Sequence, residues 1–234
     1  SNEIVVKIVS TSVNSGDVRV RGLAVKGFMK IIMRFAIGFH KPRKPILGTV
    51  FSGIVETLGS NVTKYKVGDK VFGMTGFNFG THAEYIAVKE NSSVLTMPKN
   101  ATFDQAAALI FGGQTAIFFL ERLRIQKLKK PTILIIGATG AVGTAAIQIA
   151  QYYGADITAV CSSHGKSLVE SLGISKIMLY DEEDFSMQKT SYDIIFDAVG
   201  KTTKKQCKGL LAKGGLYETV GGLTYASETQ GQLS

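Results

Sequence analysis

Residues 137 to 143 read Gly-Ala-Thr-Gly-Ala-Val-Gly, a composition typical of a turn that holds a phosphate group. In the pattern G-x-G-x-x-G, glycines permit a tight turn, close approach of the backbone to a pyrophosphate and close packing of a helix on a strand. Ala138 stands at the first position of this pattern, directly after Gly137. We therefore predict dinucleotide binding at seven residues, Gly137, Ala138, Thr139, Gly140, Ala141, Val142 and Gly143. The alternative is a glycine turn with a purely structural role.

The elements around this turn must form a βαβ unit if it is to bind phosphate. A short apolar strand is predicted from Thr132 to Ile136, and apolar residues then recur at helical period until Gly154. A second strand is predicted from Asp156 to Cys161. The N-terminus of the helix between them offers unpaired N–H groups and a positive dipole end to the phosphates.

The residues after the second strand indicate which dinucleotide binds. Domains that bind NAD usually place Asp or Glu about 20 residues past the glycines, where it holds the ribose 2′-hydroxyl. Here Ser162 and Ser163 follow the strand, with Lys166 close behind. Hydroxyls and a cation suit a 2′-phosphate, so the sequence favours NADPH over NADH. The alternative for Lys166 is a solvated residue at the start of the next helix.

The rest of the chain changes character near residue 108. The first part predicts five strands, Ile4–Val9, Ile54–Leu58, Lys70–Phe72, Ala83–Val88 and Ser93–Met97. A capping box, Thr102–Gln105, precedes a helix over Ala106–Phe111, and a further helical segment is predicted after Gly112-Gly113 up to about Ile125. Strands and helices then alternate, which predicts an α/β domain with a doubly wound parallel sheet. Its remaining strands are Lys176–Leu179, Ile194–Val199 and Leu216–Val220.

Composition excludes several functional classes. The 234 residues carry a net charge of +9 with the basic residues spread along the chain, and no nucleic-acid-binding motif is present. No uninterrupted apolar run is long enough to span a bilayer, and the N-terminus lacks the apolar core of a secretory signal, so we expect a cytoplasmic protein. Cys161, at a strand end, and Cys207, in a predicted basic helix, have no CxxC partner and are expected to be reduced.

Five segments together resemble one known family. They are Val13–Asp17, Gly48–Gly53, Val67–Gly73, Gly137–Gly143 and Tyr192–Gly200. In these the chain resembles a zinc-free member of the medium-chain dehydrogenase/reductase superfamily, of the quinone oxidoreductase-like branch. The resemblance implies a GroES-like β-rich substrate domain over residues 1–108, a Rossmann NADP-binding domain over 109–234, and a cleft between them. Relatives extend further at both ends and form dimers, which implies that this chain is a piece of a longer homodimeric protein.

The resemblance also bears on metal and on the reaction. Zinc-dependent relatives carry a cysteine in the motif around Asn14 and a histidine at the position of Thr49, so no metal site is expected here. The three histidines are far apart in sequence. Without a Lewis acid a simple ketone is hard to reduce, whereas a quinone or an α,β-unsaturated carbonyl delocalises the arriving charge. We expect hydride transfer from NADPH to such a small hydrophobic acceptor.

Several residues acquire roles by resemblance alone. Asn14 is the expected donor to the substrate oxygen, Asp17 the organiser of its loop, and Thr115 the threonine near the nicotinamide. The expected remaining cofactor contacts are Tyr180, Val199, Gly200 and Gly221. The alternatives are an ordinary turn over Asn14 to Asp17 and an ordinary helical position for Thr115. Val50 departs from the family, because relatives often have Asp there, which weakens the substrate assignment.

One segment, Lys26–Lys44, is unexplained by cofactor binding. Its cations recur every fourth residue against apolar residues, which is typical of an amphipathic helix at a membrane surface or over a hydrophobic substrate. The favoured alternative is an insertion whose apolar face is core. Two functions therefore remain open: a quinone or enone reductase, and a non-catalytic NADP-binding member with a regulatory or interaction role. A zinc alcohol dehydrogenase is rejected.

Overall fold

The computed structural model describes residues 1–22, 38 and 43–220. The chain forms two compact units, Ser1–Phe111 and Gly112–Ser234. The sequence placed this boundary between residues 108 and 109. Most of the segment Lys26–Lys44 and the candidate cofactor residue Gly221 lie outside the described residues, so those two predictions stay as they were made.

The first unit is built on a five-stranded antiparallel sheet. Its strands are β1 (Glu3–Thr11), β2 (Val50–Leu58), β3 (Lys70–Met74), β4 (Tyr85–Lys89) and β5 (Val94–Thr96), with helix α1 (Ser15–Gly22) after β1. They lie in the order β4-β1-β2-β3-β5. Alternation along the strands turns one set of apolar side chains into a core formed by Ile4, Val6, Phe51, Val55, Val71 and Val94.

The second unit is built on a five-stranded parallel sheet. Its strands are β6 (Thr132–Ile136), β7 (Asp156–Cys161), β8 (Lys176–Leu179), β9 (Tyr192–Asp197) and β10 (Leu211–Thr219). Helix α2 (Phe103–Arg122) begins in the first unit and ends in the second, which also contains helices α3 (Ala141–Tyr152) and α4 (Lys166–Ser171). The order β10-β9-β6-β7-β8 is that of a doubly wound sheet, which confirms the predicted fold class. The strand order reverses between β6 and β9, where such folds hold a ligand at the carboxyl ends of the strands.

Helix α2 is continuous where the sequence predicted two segments. The predicted capping box is present, because the Thr102 amide donates to Gln105 Oε1 (3.0 Å) and the Gln105 amide donates to Thr102 Oγ1 (3.2 Å). Gly112 does not break the helix: a Cβ there would lie 2.3 Å from the carbonyl oxygen of Ala141, so glycine allows close contact with α3. By length and composition alone α2 could also cross a membrane, a test that the core helix of a soluble protein passes as well.

Most predicted strands match the structure within two residues. The exceptions are β2, which begins at Val50 where the sequence predicted Ile54, and β10. The sequence placed its start at Leu216, whereas the strand begins at Leu211. The pairing register with β9 shifts between these two residues, and Gly214 has a φ of +82°. This irregularity hides the first half of the strand from a pattern analysis, because glycine in sequence is typical of a turn.

The two cysteines are buried and free. Cys161 ends β7 as predicted, but the predicted basic helix around Cys207 is wrong, since residues 204–207 form a turn before a short 3₁₀ segment at Lys208–Leu210. Burial raises the pKa of both thiols, which keeps them protonated and unreactive.

Candidate functional site

The glycine turn lies at the carboxyl end of β6, at the reversal point of the sheet. The amides of Gly137 and Ala138 both donate to the carbonyl oxygen of Val160, at 3.0 and 3.1 Å, which ties the turn to β7. Gly137 has a φ of +79°, and a Cβ there would lie 1.9 Å from Cγ2 of Val199. The turn after β6 and the loop after β9 are therefore in direct contact.

Helix α3 begins at this turn and is open at its N-terminus. A Cβ at Gly143 would lie 2.1 Å from the carbonyl oxygen of Gly137, so glycine lets the helix pack on the turn. Gly140 caps the helix without a side-chain hydrogen bond, and a Cβ there would meet only the Gly137 oxygen at 3.7 Å. The helix dipole, the lack of a side-chain hydrogen bond at the cap and the open space beside Gly140 together suit the binding of a pyrophosphate.

The loop after β9 is held by one buried carboxylate, Asp197, which sequence analysis did not single out. Its Oδ1 accepts hydrogen bonds from the amides of Val199 (2.9 Å) and Gly200 (2.8 Å). Its Oδ2 accepts from the amides of Lys201 and Thr202, at 2.9 and 2.7 Å, and from the Thr202 hydroxyl at 2.8 Å. Asp197 is fully buried, so these five donors replace water and fix the backbone at both predicted cofactor residues.

Tyr217, on β10, also forms hydrogen bonds with the loop after β9. Its hydroxyl donates to the Thr202 carbonyl oxygen at 2.7 Å and lies 3.2 Å from the Thr202 hydroxyl. Burial raises the pKa of Tyr217 to about 12, so this hydroxyl keeps its proton throughout the physiological range.

The predicted ribose end of the site contains a carboxylate that sequence analysis missed. The Ser163 amide donates to both oxygens of Asp181, at 2.9 and 3.1 Å, and the Ser163 hydroxyl donates to Oδ2 at 2.7 Å. These bonds to Ser163 lower the pKa of Asp181. The sequence argument considered only the residues that follow β7, which are hydroxyls and a cation. The structure corrects it, because a carboxylate reaches this place from the end of β8.

The other predicted ribose contacts lie beside this pair. Lys166 begins α4, and its Nζ lies 3.9 Å from Glu170 Oε1, one helical turn on, with both side chains about half exposed. Tyr180 directly precedes Asp181 and is 58% exposed, so its ring is accessible to a ligand. Ser162 directly follows β7, and its carbonyl oxygen accepts a hydrogen bond from the Gly165 amide at 2.9 Å.

In the first unit, Asn14 caps helix α1. Its Oδ1 accepts the amides of Gly16 (2.8 Å) and Asp17 (3.2 Å), while its own amide donates to Asp17 Oδ2 at 3.0 Å. This reciprocal arrangement is a capping box, so the alternative of an ordinary turn is replaced by a helix start. The side-chain amide of Asn14 also donates to Thr49 Oγ1 at 2.7 Å, which joins two residues that are distant in sequence.

Asp17, in this cap, and Val50, which follows Thr49 in the chain, are both buried. Asp17 is 3% exposed, and its Oδ1 has no hydrogen-bond partner among the described residues. Val50 is fully buried and packs with Phe72 and Met97, so an apolar side chain suits the position at which the sequence departs from the family. Thr115 is half-buried on α2, in the second unit.

The part of the chain that the structure describes contains no group of three or more His, Cys, Asp or Glu side chains able to hold a metal ion. The groups predicted to bind a cofactor are instead hydroxyls, the Lys166 ammonium and the backbone amides of the glycine turn. This donor set suits phosphate oxygens better than a metal.

Two family models match the chain. Residues 1–99 match the alcohol dehydrogenase GroES-like domain, and residues 141–233 match the domain described as zinc-binding dehydrogenase.

Individual relatives and solved structures agree with these models. The chain is 33% identical over 212 residues to 2-methylene-furan-3-one reductase of Solanum lycopersicum and 32% identical over 212 residues to the chloroplastic NADPH-dependent alkenal/one oxidoreductase of Arabidopsis thaliana. Each match covers 87% of this chain and 51% of the relative, so the chain spans about half the length of these relatives. The solved quinone oxidoreductase of Coxiella burnetii superposes with a TM-score of 0.80 at 29% identity, covering 92% of this chain and 66% of that one.

Proposed function

The chain belongs to the medium-chain dehydrogenase/reductase superfamily, and from this premise we propose that it transfers a hydride from NADPH to a quinone or an α,β-unsaturated carbonyl compound without zinc. Relatives named as reductases of enones and alkenals, and a structural neighbour named as a quinone oxidoreductase, support this class of acceptor.

The observation that carries the proposal is the hydrogen bond between Asn14 and Thr49. By the family resemblance, zinc-dependent relatives hold a cysteine in the motif around Asn14 and a histidine at the position of Thr49. Here an amide and a hydroxyl satisfy each other, and neither supplies a thiolate or an imidazole. A conjugated acceptor suits such a site, because the electron pair of the hydride is delocalised onto the acceptor oxygen, which then takes a proton from water.

The protein's own groups then bind and orient the acceptor. A side-chain amide has two N–H donors, and the one that Thr49 does not take is available to the acceptor oxygen. Asp17 fixes the Asn14 backbone through its Oδ2, so the donor is held in place before the acceptor arrives. The nicotinamide supplies the hydride, and Thr115 is proposed to lie near it.

For the cofactor, we propose NADPH held by the glycine turn, the Val199–Gly200 backbone and a polar ribose end with Lys166 and Tyr180. We expect NADPH to bind more tightly than NADH. Lys166→Ala should reduce the difference in binding free energy between the two cofactors by about 1 to 3 kcal/mol, because a charge-assisted hydrogen bond to the 2′-phosphate is lost. Fluorescence titration of both cofactors into both proteins measures the change.

Lys176→Ala is the matched control for this prediction. Lys176 is exposed and pairs with Asp156 at the amino ends of the same parallel strands, opposite the proposed site. The substitution removes an equal charge and should leave the difference in binding free energy between NADPH and NADH unchanged. Equal affinities for the two cofactors in the unmutated protein would contradict the NADPH assignment.

The reaction itself is tested by steady-state oxidation of NADPH by the full-length protein with quinones, enones, aldehydes and alcohols, with and without a metal chelator. We expect turnover with the conjugated acceptors and no effect of the chelator. Cofactor binding without turnover would favour the non-catalytic alternative. Activity with simple alcohols that the chelator abolishes would refute the zinc-free mechanism.

A further inference from the structure

We propose that Asp181 is a specificity residue that opposes the 2′-phosphate of NADPH and admits the 2′-hydroxyl of NADH. The preference that Lys166 creates for NADPH is therefore restrained by a carboxylate from the neighbouring strand. This inference rests on the proposed function, since it needs a dinucleotide at the glycine turn.

Parallel pairing brings Asp181 to the end of β7. Cys161 and Leu179 are partners in the β7–β8 ladder, and the Tyr180 amide donates to the Cys161 carbonyl oxygen at 3.0 Å. The two chains therefore leave the sheet side by side, which puts Asp181 against Ser163. The carboxylate accepts both donors of Ser163, the amide and the hydroxyl.

The Ser163 turn lies against the phosphate turn. A Cβ at Gly165 would lie 2.4 Å from Cγ2 of Thr139, so these two turns touch. In a dinucleotide fold the adenosine ribose lies at the end of the second strand, next to the pyrophosphate. Asp181 is therefore at the position where the ribose 2′ substituent is read.

The chemistry of the pair disfavours a 2′-phosphate. Both Ser163 donors are spent on Asp181, so they cannot bind phosphate oxygens unless the carboxylate moves. The carboxylate also repels a dianion, whereas its remaining acceptor sites can take a hydrogen bond from a 2′-hydroxyl. Lys166 opposes this effect, but it shares its charge with Glu170.

The surroundings keep this carboxylate charged. Hydrogen bonds from Ser163 lower the pKa of Asp181, and the charge interaction with the nearby His164 acts in the same direction, so the carboxylate is ionised at neutral pH. The residues that follow, Glu182 to Asp184, line a surface depression of about 350 Å³ with Asp181 and add charge of the same sign.

The test is Asp181→Asn in the full-length protein, with Kd measured for NADPH and NADH by titration. Asparagine is isosteric and its oxygen can still accept from Ser163, so charge is the main change. We expect NADPH to bind about fivefold to tenfold more tightly and NADH to change less than about threefold in the weaker direction. The gain for NADPH should shrink at high salt.

Asp184→Asn is the matched control. It removes the same charge from the same acidic run, but Asp184 bonds to Ser186 and not to Ser163. It should alter the NADPH affinity less than twofold. If both variants change the affinities equally, or if Asp181→Asn leaves the ratio of the two affinities unchanged, the proposal is wrong. If the unmutated protein binds neither cofactor, the proposed function fails and this inference fails with it.

Discussion

Replacing Gly143 with alanine should lower the free energy of unfolding of the second unit by about 3 kcal/mol or more and abolish dinucleotide binding. The added Cβ would lie 2.1 Å from the Gly137 carbonyl oxygen and 2.9 Å from two backbone atoms of Ala138. Backbone atoms cannot swing aside as a flexible side chain can. Helix α3 must therefore move off the turn, and the phosphate site opens.

Two other glycines separate this clash from weaker effects of the same substitution. Gly209 has nothing within 4 Å of an added Cβ and no positive φ, so Gly209→Ala should be near neutral. Gly154 is equally open but has a φ of +70°, so Gly154→Ala should cost about 1 to 2 kcal/mol from backbone strain alone. Urea denaturation of the three variants ranks their free energies of unfolding, and NADPH titration measures their cofactor affinity. A Gly143 variant as stable as the Gly209 variant would show that close helix packing is unimportant.

Asp197→Ala should destabilise the protein by about 3 to 5 kcal/mol and weaken cofactor binding. Five donors lose their acceptor at once, and a buried amide without a partner keeps its full desolvation penalty. The freed loop carries Val199, whose side chain contacts the glycine turn. Denaturation midpoints and NADPH affinity measure the two effects.

A graded series checks that prediction. Asp197→Asn keeps Oδ1 for Val199 and Gly200 and loses the three bonds to Oδ2, so its cost should be intermediate. Tyr217→Phe removes the phenol hydroxyl with its bonds to Thr202, leaves all five bonds to Asp197 in place, and should cost about 1 kcal/mol. If Asp197→Ala costs no more than Tyr217→Phe, the loop is held by something other than this carboxylate.

Local sequence patterns predicted the second unit well because its signals are local. The bounds of β6, β7 and β8 match the structure residue for residue. Each is a short apolar run bounded by turn residues, and the capping box at Thr102 needs only residues three apart. The helix break expected at Gly112-Gly113 was wrong because propensity was weighed without packing. The close contact with Ala141 requires glycine there and the helix continues through it.

The polar pairs at the site could not be read from local patterns. Asn14 and Thr49 are 35 residues apart, and Ser163 and Asp181 are 18 apart. Strand order and register bring such residues together, and neither is encoded in a short window. Asp197 stands in a segment that the family resemblance had marked, but its role depends on the way the following loop curls around it. Composition alone gives no sign of that curl.

We expect the strand order also to determine the order in which the strands assemble during folding. Residues 137–155 separate β6 from β7, whereas residues 137–191 separate β6 from β9. Closing the longer loop costs about 1 kcal/mol more in chain entropy, so we expect β6, β7 and β8 to assemble first and β9 to dock later. The turn after β6 meets the loop after β9 only at that late step. We therefore expect a bound dinucleotide to stabilise the finished sheet by mass action without helping to nucleate it.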